Sequence, residues 1–151
     1  RAQFATMFYR LAGSPQANET SNFTDLTQDW YKKAVSWAAV TGVINGTGST
    51  TFSPDSTITR EQIAAIFYRY AQTRGIDMSS STDLSASDFR DKSEISAYAL
   101  PAMNWCFDKS IMFEYVDQSH GYEISLAPQK APSRAETATL FSKFSYVLNS
   151  N

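Results

Sequence analysis

The sequence predicts an all-α protein built from repeated helix-loop-helix modules. Residues 1–12 and 60–71 are identical at seven of twelve positions, and a third, weaker copy begins at Arg134. A different stretch repeats between these copies, at residues 23–38 and 89–106. Apolar residues recur every three or four positions in both kinds of stretch, as in amphipathic helices. We call the first kind helix B and the second helix A, so the predicted order is B, A, B, A, B.

Helix A of the middle repeat is predicted to run from about Asp29 to Val43, with Asp29 as its N-cap. Gly42 and the glycines after it then predict a turn. Trp37 lies on the apolar stripe and is predicted to be core. For Trp30 the residues leave two readings open, a core position or an exposed platform for a sugar ring.

Helix A of the last repeat contains Pro101, which a helix accepts without loss of a hydrogen bond only in its first turn. We therefore expect this helix to begin near Ala97. Trp105 matches the core tryptophan of the middle repeat, and Tyr98 matches the tryptophan whose role is open.

The starts of helix B carry the clearest local signal in the sequence. Residues 59–62 (Thr-Arg-Glu-Gln) and 133–136 (Ser-Arg-Ala-Glu) both fit the capping box, in which side chains at the N-cap and N3 positions bond each other's amides. Gln3 occupies the N3 position in the first copy. A Ser or Thr is thus expected before Arg1, in a longer protein of which this chain is a piece.

The repeats and polar stretches predict four segments along the chain. They are 1–22, the second half of a first repeat with its linker; 23–72, a second repeat; 73–88, a linker; and 89–151, a divergent third repeat.

An arginine opens each copy of helix B, at Arg1, Arg60 and Arg134. This position faces the positive end of the helix dipole, where an acidic residue would be favoured. Backbone amides plus a guanidinium group could bind a carboxylate or phosphate there. The alternative is that each arginine pairs with an internal carboxylate, most obviously Asp25 or Asp91.

Composition excludes several classes of function. With 13 basic and 15 acidic residues the net charge is −2, which argues against nucleic acid as a partner. No apolar run is long enough for membrane insertion. Cys106 is the single cysteine and His120 the single histidine, so no disulfide or metal spacing is present. No catalytic motif or cofactor motif occurs either, and none is expected.

The middle repeat resembles the S-layer homology modules of bacterial surface proteins. The resemblance rests on Phe23-x-Asp25, Trp30-Tyr31-x-x-Ala34-Val35, Gly42-Val43-Ile44-Asn45-Gly46, Phe52-x-Pro54 and Ile58-Thr59-Arg60-Glu61-Gln62. It implies modules in threes that form a pseudo-threefold helical assembly with a central helix bundle. It further implies a non-catalytic anchor at the bacterial cell surface that binds secondary cell-wall polysaccharide through the carboxylate of a pyruvylated sugar.

The family's grooves between neighbouring repeats imply which residues bind the glycan. One groove would hold Arg1, Asp25 and Trp30, and a second would hold Arg60, Asp91 and Tyr98. A third groove, at Arg134, would need a helix A in front of Arg1. The remaining glycan-binding residues implied are Gln3, Gly46, Gln62 and Glu136.

The third repeat departs from the pattern. Ser110 replaces Gly42, Glu114 replaces Gly46, and six residues are inserted around His120. We expect its groove to be altered or lost, since Glu114 would repel an anionic glycan. Two alternatives to a glycan anchor stay open: an assembly module that contacts neighbouring surface-protein subunits, and an enzyme such as a glycoside hydrolase.

Overall fold

The computed structural model describes residues 1–16, 20–117 and 123–150, without the side chains of Asp117 and Glu123. Within these ranges the helices are α1 (Ala2–Leu11), α2 (Asp29–Val40), α3 (Arg60–Thr73), α4 (Leu100–Asp108) and α5 (Arg134–Asn149). Their order confirms the predicted alternation of helix B and helix A. None of them is long and apolar enough to cross a membrane. His120 lies outside the described residues.

The all-α expectation needs one correction, because the third repeat contains a small β-hairpin. Strands β1 (Tyr115–Asp117) and β2 (Glu123–Ser125) pair antiparallel, with Val116 opposite Ile124. They lie in the insertion of the third repeat, where β-branched residues alternate with polar ones. A run of three residues is too short for that alternation to stand out in the sequence.

The chain divides into two compact units, Arg1–Ile58 and Thr59–Asn151. In the first unit α1 packs against α2, and in the second α3 packs against α4. Each unit therefore combines helix B of one sequence repeat with helix A of the next. The structural unit is out of phase with the sequence repeat.

The core of the first unit is aromatic. Phe8 lies between Phe4 and Trp37, with ring centroids 6.1 and 6.2 Å away. Val35 and Ala38 on α2 are fully buried beside them. The prediction that Trp37 is core is confirmed, whereas Trp30 on the same helix is 54% exposed and is not a core residue.

The core of the second unit contains Trp105, which is fully buried as predicted. Phe67 of α3 stacks on Phe144 of α5, with centroids 4.1 Å apart and rings nearly parallel. Burial raises the pKa of the Cys106 thiol, so this cysteine stays protonated and serves as a small apolar core residue. No group of three or more potential metal ligands occurs among the residues described.

The two A helices begin elsewhere than expected. The predicted N-cap Asp29 is wrong: Gln28 holds that position, and its amide donates to the Tyr31 hydroxyl (3.2 Å). Helix α2 also ends at Val40 rather than Val43, because the left-handed Gly42 (φ 69°) turns the chain.

Helix α4 begins at Leu100, three residues later than expected, with Pro101 in its first turn as predicted. A helix beginning at Ala97 would need an amide at position 101, and proline has none. The Ser96 carbonyl instead accepts from the amides of Ala99 and Leu100, which forms a turn ahead of the helix.

The predicted linker 73–88 is held against helix α4. The Leu84 side chain is buried, and its amide donates to the Asn104 side chain (3.0 Å). The Ser81 amide donates to the Asp108 carboxylate (3.0 Å). Two short 3₁₀ turns, Leu84–Ala86 and Lys92–Glu94, follow before α4.

Candidate functional site

Arg1 and Asp25 of the first unit bind opposite ends of the same residue, Phe52. Arg1 Nε donates to the Phe52 carbonyl oxygen (3.0 Å), and Arg1 Nη2 donates to the Asn45 carbonyl oxygen (2.9 Å). The Asp25 carboxylate accepts from the amides of Phe52 (3.0 Å) and Ser53 (2.7 Å). Together they fix the loop that leads into the turn before α3.

Arg60 and Asp91 repeat this arrangement in the second unit, around Leu126. Arg60 donates to the carbonyl oxygens of Leu126 (3.0 Å) and Phe113 (2.6 Å). Asp91 accepts from the amides of Leu126 (3.0 Å) and Ala127 (2.7 Å). The arginines differ in burial, since Arg60 is only 1% exposed and Arg1 is half-buried.

In each site the arginine and the aspartate also act on one another through their charges. Desolvation alone would raise the pKa of the Asp25 carboxyl, but the Phe52 and Ser53 amides and the Arg1 charge outweigh it, so that pKa lies below its ordinary value. Desolvation lowers the pKa of Arg60, against the opposing charges of Glu136 and Asp91. Each arginine thus stabilises a loop, and whether it also binds an external anion stays a prediction.

The first amides of α3 already have acceptors in the chain. The amides of Arg60 and Glu61 donate to the loop carbonyls of Lys130 and Pro128 (3.0 Å each). In the first unit the amide of Ala2 likewise donates to a loop carbonyl. A ligand at these helix starts would therefore meet side chains rather than vacant amides.

Both predicted capping boxes are confirmed. The Thr59 amide donates to Gln62 Oε1 (3.2 Å), and the Ser133 amide donates to Glu136 Oε2 (2.6 Å). These two predicted glycan-binding side chains therefore also hold helix starts. Two further predicted residues are exposed at helix starts, Gln3 in α1 and Arg134 in α5.

An exposed aromatic ring stands near the start of each A helix. Trp30 (54% exposed) contacts the Tyr31 ring edge-on, at 4.8 Å between centroids. Tyr98 (56% exposed) donates its hydroxyl to Glu61 Oε1 (3.2 Å), and Glu61 also accepts from the Ser96 amide (2.9 Å) and hydroxyl (2.8 Å). Sequence reasoning missed this role of Glu61, although the other two copies of helix B have alanine at that position (Ala2 and Ala135).

Gly46 is required by close packing in the first unit. A Cβ there would lie 2.5 Å from Phe23 Cε1 and 2.5 Å from the Thr51 carbonyl oxygen. The equivalent residue of the second unit, Glu114, is exposed and immediately precedes the hairpin.

The backbone path is otherwise retained between the units, even where a glycine is replaced. Ser110 is left-handed (φ 54°), as is its counterpart Gly42 (φ 69°). Ser53 and Ala127, the residues that donate to the two aspartates, are both left-handed as well (φ 57° and 47°). The replacement of Gly42 by Ser110 therefore preserves the turn at some cost in backbone strain.

The second unit contains a groove of about 740 Å³ beside the hairpin. Two residues from the sequence analysis line it: Asp91, a predicted glycan-binding residue, and Glu114, which replaces Gly46. The other lining residues, none of them a predicted site residue, are Asp88, Phe89, Arg90, Val116, Ile124 and Ser125. Val116 and Ile124 are 46% and 58% exposed, an unusual exposure for two adjacent aliphatic side chains.

A comparison with models of protein families identifies the family of this chain. A family model described as the S-layer homology domain matches residues 22–64 and 88–138. These ranges contain the predicted site residues except Arg1 and Gln3.

Three curated relatives are named as enzymes, and each is much longer than this chain. The chain is 28% identical over 142 residues (94% of this chain, 14% of the relative) to an endoglucanase of Bacillus sp. (strain KSM-635). It is 31% identical over 100 residues (66% and 5%) to an amylopullulanase of Thermoanaerobacterium thermosulfurigenes. It is 29% identical over 100 residues (66% and 9%) to exoglucanase XynX of Acetivibrio thermocellus. The chain thus spans only a small part of each relative's length.

Proposed function

Because the chain belongs to the S-layer homology domain family and carries two of its repeats in tandem, we propose that it is a non-catalytic module that anchors a larger protein to the bacterial cell wall. The relatives support this proposal. Three proteins named for different enzyme activities share this segment, which covers at most 14% of each. A common appendage on otherwise different enzymes is expected of an anchor. The protein would then act outside the cell, at the cell surface. The pseudo-threefold assembly implied by the resemblance stays a prediction.

The ligand proposed for the first unit is a pyruvylated sugar of the secondary cell-wall polysaccharide. The exposed ring of Trp30 carries this proposal, since an exposed aromatic face suits the apolar face of a sugar. The half-buried guanidinium of Arg1 supplies a positive charge that a carboxylate would complement. Asp25 positions the loop that Arg1 contacts.

Retention of the chain on purified pyruvylated cell walls tests this proposal. Chemical removal of the pyruvate should reduce binding about tenfold or more, as expected when a charge-assisted contact is lost. Trp30→Ala should reduce it similarly without loss of stability, whereas Tyr146→Ala, at another exposed aromatic (74% exposed), should leave it unchanged. Equal retention before and after pyruvate removal would contradict the mechanism. Self-association without wall retention would instead favour an assembly module that contacts neighbouring subunits.

A further inference from the structure

The groove beside the hairpin of the second unit has the size and lining of a ligand site. Its volume, about 740 Å³, lies within the range of about 300 to 1,000 Å³ that is typical of small-molecule sites. One wall consists of the exposed aliphatic side chains Val116 and Ile124, which face each other across the strands. The half-buried Phe89 also lines the groove. The middle repeat lacks the insertion in which this hairpin lies.

The polar lining of the groove is predominantly negative. Asp88, Asp91 and Glu114 contribute three carboxylates, against the single guanidinium of Arg90. The equivalent positions of the first unit hold one carboxylate, in the order Asn22, Phe23, Thr24, Asp25 and Gly46. The second unit also places the buried carboxylate of Glu61 where the first has Ala2.

Arg60, the arginine that opens helix B of the second unit, does little to offset these charges at the surface. Arg60 is 1% exposed and donates to the carbonyl oxygens of Leu126 and Phe113. A carboxylated sugar in the groove would therefore meet the three carboxylates of Asp88, Asp91 and Glu114 against the one exposed guanidinium of Arg90. Like charges repel and the lining carries more carboxylates than guanidinium groups, so the groove disfavours an anionic ligand.

We propose that this groove binds an uncharged sugar unit of the wall polysaccharide. Carboxylates accept hydrogen bonds from sugar hydroxyls, and Asp91 is already held rigid by the Leu126 and Ala127 amides. The aliphatic wall and Phe89 suit the C–H faces of a sugar ring. The inference rests on the proposed function for the kind of polymer bound. The charge of the ligand differs between the two proposals: the first unit binds the carboxylated sugar, and the second unit binds an uncharged sugar.

Binding of the full chain to pyruvate-free polysaccharide fragments, prepared from the same walls, tests the inference. The double variant Val116→Ser, Ile124→Ser should weaken this binding about tenfold or more. Both side chains are exposed, so the variant should remain folded. Val40→Ser, at an exposed valine of α2, is the matched control and should bind like the unchanged chain.

Glu114→Gln provides the second arm, in a Trp30→Ala background that silences the first unit. It should increase binding of pyruvylated fragments about threefold or more, because it removes one negative charge from the groove. The inference is overturned if the unchanged chain does not bind pyruvate-free fragments, if the double serine variant binds them equally well, or if Glu114→Gln does not improve binding of the pyruvylated form. Failure of the proposed function would be a different result: equal retention of the chain with Trp30 intact on walls before and after pyruvate removal.

Discussion

Arg60 and Asp91 bind the two ends of one residue, Leu126: the guanidinium donates to its carbonyl oxygen and the carboxylate accepts from its amide, both at 3.0 Å. Arg1 and Asp25 bind Phe52 in the same way. A buried guanidinium is costly unless its donors are satisfied, and the loop carbonyls satisfy them. The arginine that opens helix B therefore has a structural role in each unit, whatever ligand it also contacts.

We predict that Arg60→Lys destabilises the second unit by about 2 to 4 kcal/mol, because an ammonium cannot reach both carbonyls and stays buried. Urea unfolding followed by hydrogen exchange in α3 and α4 measures the loss. Arg134→Lys, at the exposed equivalent position of α5, should change stability by less than about 0.5 kcal/mol. Equal effects of the two variants would contradict a buried structural role for Arg60.

The Asp25 carboxylate should make the first unit sensitive to acid. Its pKa in the folded protein lies below the unfolded value of about 3.9, so its contribution is present above that pH and disappears as the pH falls through the folded pKa. We predict that Asp25→Asn costs about 1 to 3 kcal/mol at pH 7, since it removes a charged acceptor for two amides. The cost should shrink below about pH 4.

This pH dependence is tested by unfolding the Asp25→Asn variant and the unchanged chain at pH 7 and at pH 3, followed by hydrogen exchange in α1 and α2. Asp29→Asn removes the carboxylate of an exposed pair with Lys32 and serves as the control, with a much smaller effect expected. A difference between Asp25→Asn and the unchanged chain that is as large at pH 3 as at pH 7 would rule out the explanation.

Gly46→Ala should destabilise the first unit by about 1 to 3 kcal/mol through overpacking. The new Cβ would meet the Phe23 ring and the Thr51 carbonyl, which is fixed by an amide of the same turn. Gly48→Ala is the matched control, since its close contact is only the Thr51 hydroxyl, which can rotate away. The midpoint temperature of thermal unfolding should be clearly lower for Gly46→Ala than for Gly48→Ala. The reverse order would refute this packing argument.

Glu61→Gln should cost the second unit about 1 to 3 kcal/mol, because an amide cannot accept all three hydrogen bonds from Ser96 and Tyr98. Tyr98→Phe removes one of them and should cost about 0.5 to 1.5 kcal/mol. A double-mutant cycle measured by urea unfolding should show coupling between the two changes. Strict additivity would mean that the Tyr98 hydroxyl does not depend on Glu61.

The sequence by itself determined the features that depend on neighbouring residues. Both capping boxes involve residues three positions apart, and the helices follow from a local apolar period. The repeat also showed which residues of the two units are equivalent, including Trp37 and Trp105 as core. Helix boundaries were less accurate, because the start of α2 depends on a side-chain hydroxyl and that of α4 on a preceding turn.

Only the tertiary structure decided the features that depend on contacts between distant residues. The Arg60 guanidinium reaches Leu126, 66 positions away, and Glu61 reaches Ser96, 35 positions away. No local pattern encodes such pairings, so burial of the arginine could not be distinguished from exposure. The same holds for the pairing of each helix B with the following helix A, and for the groove beside the hairpin. Packing of apolar surfaces selects these arrangements. The repeat alone does not determine whether helix B packs against helix A of its own repeat or of the next one.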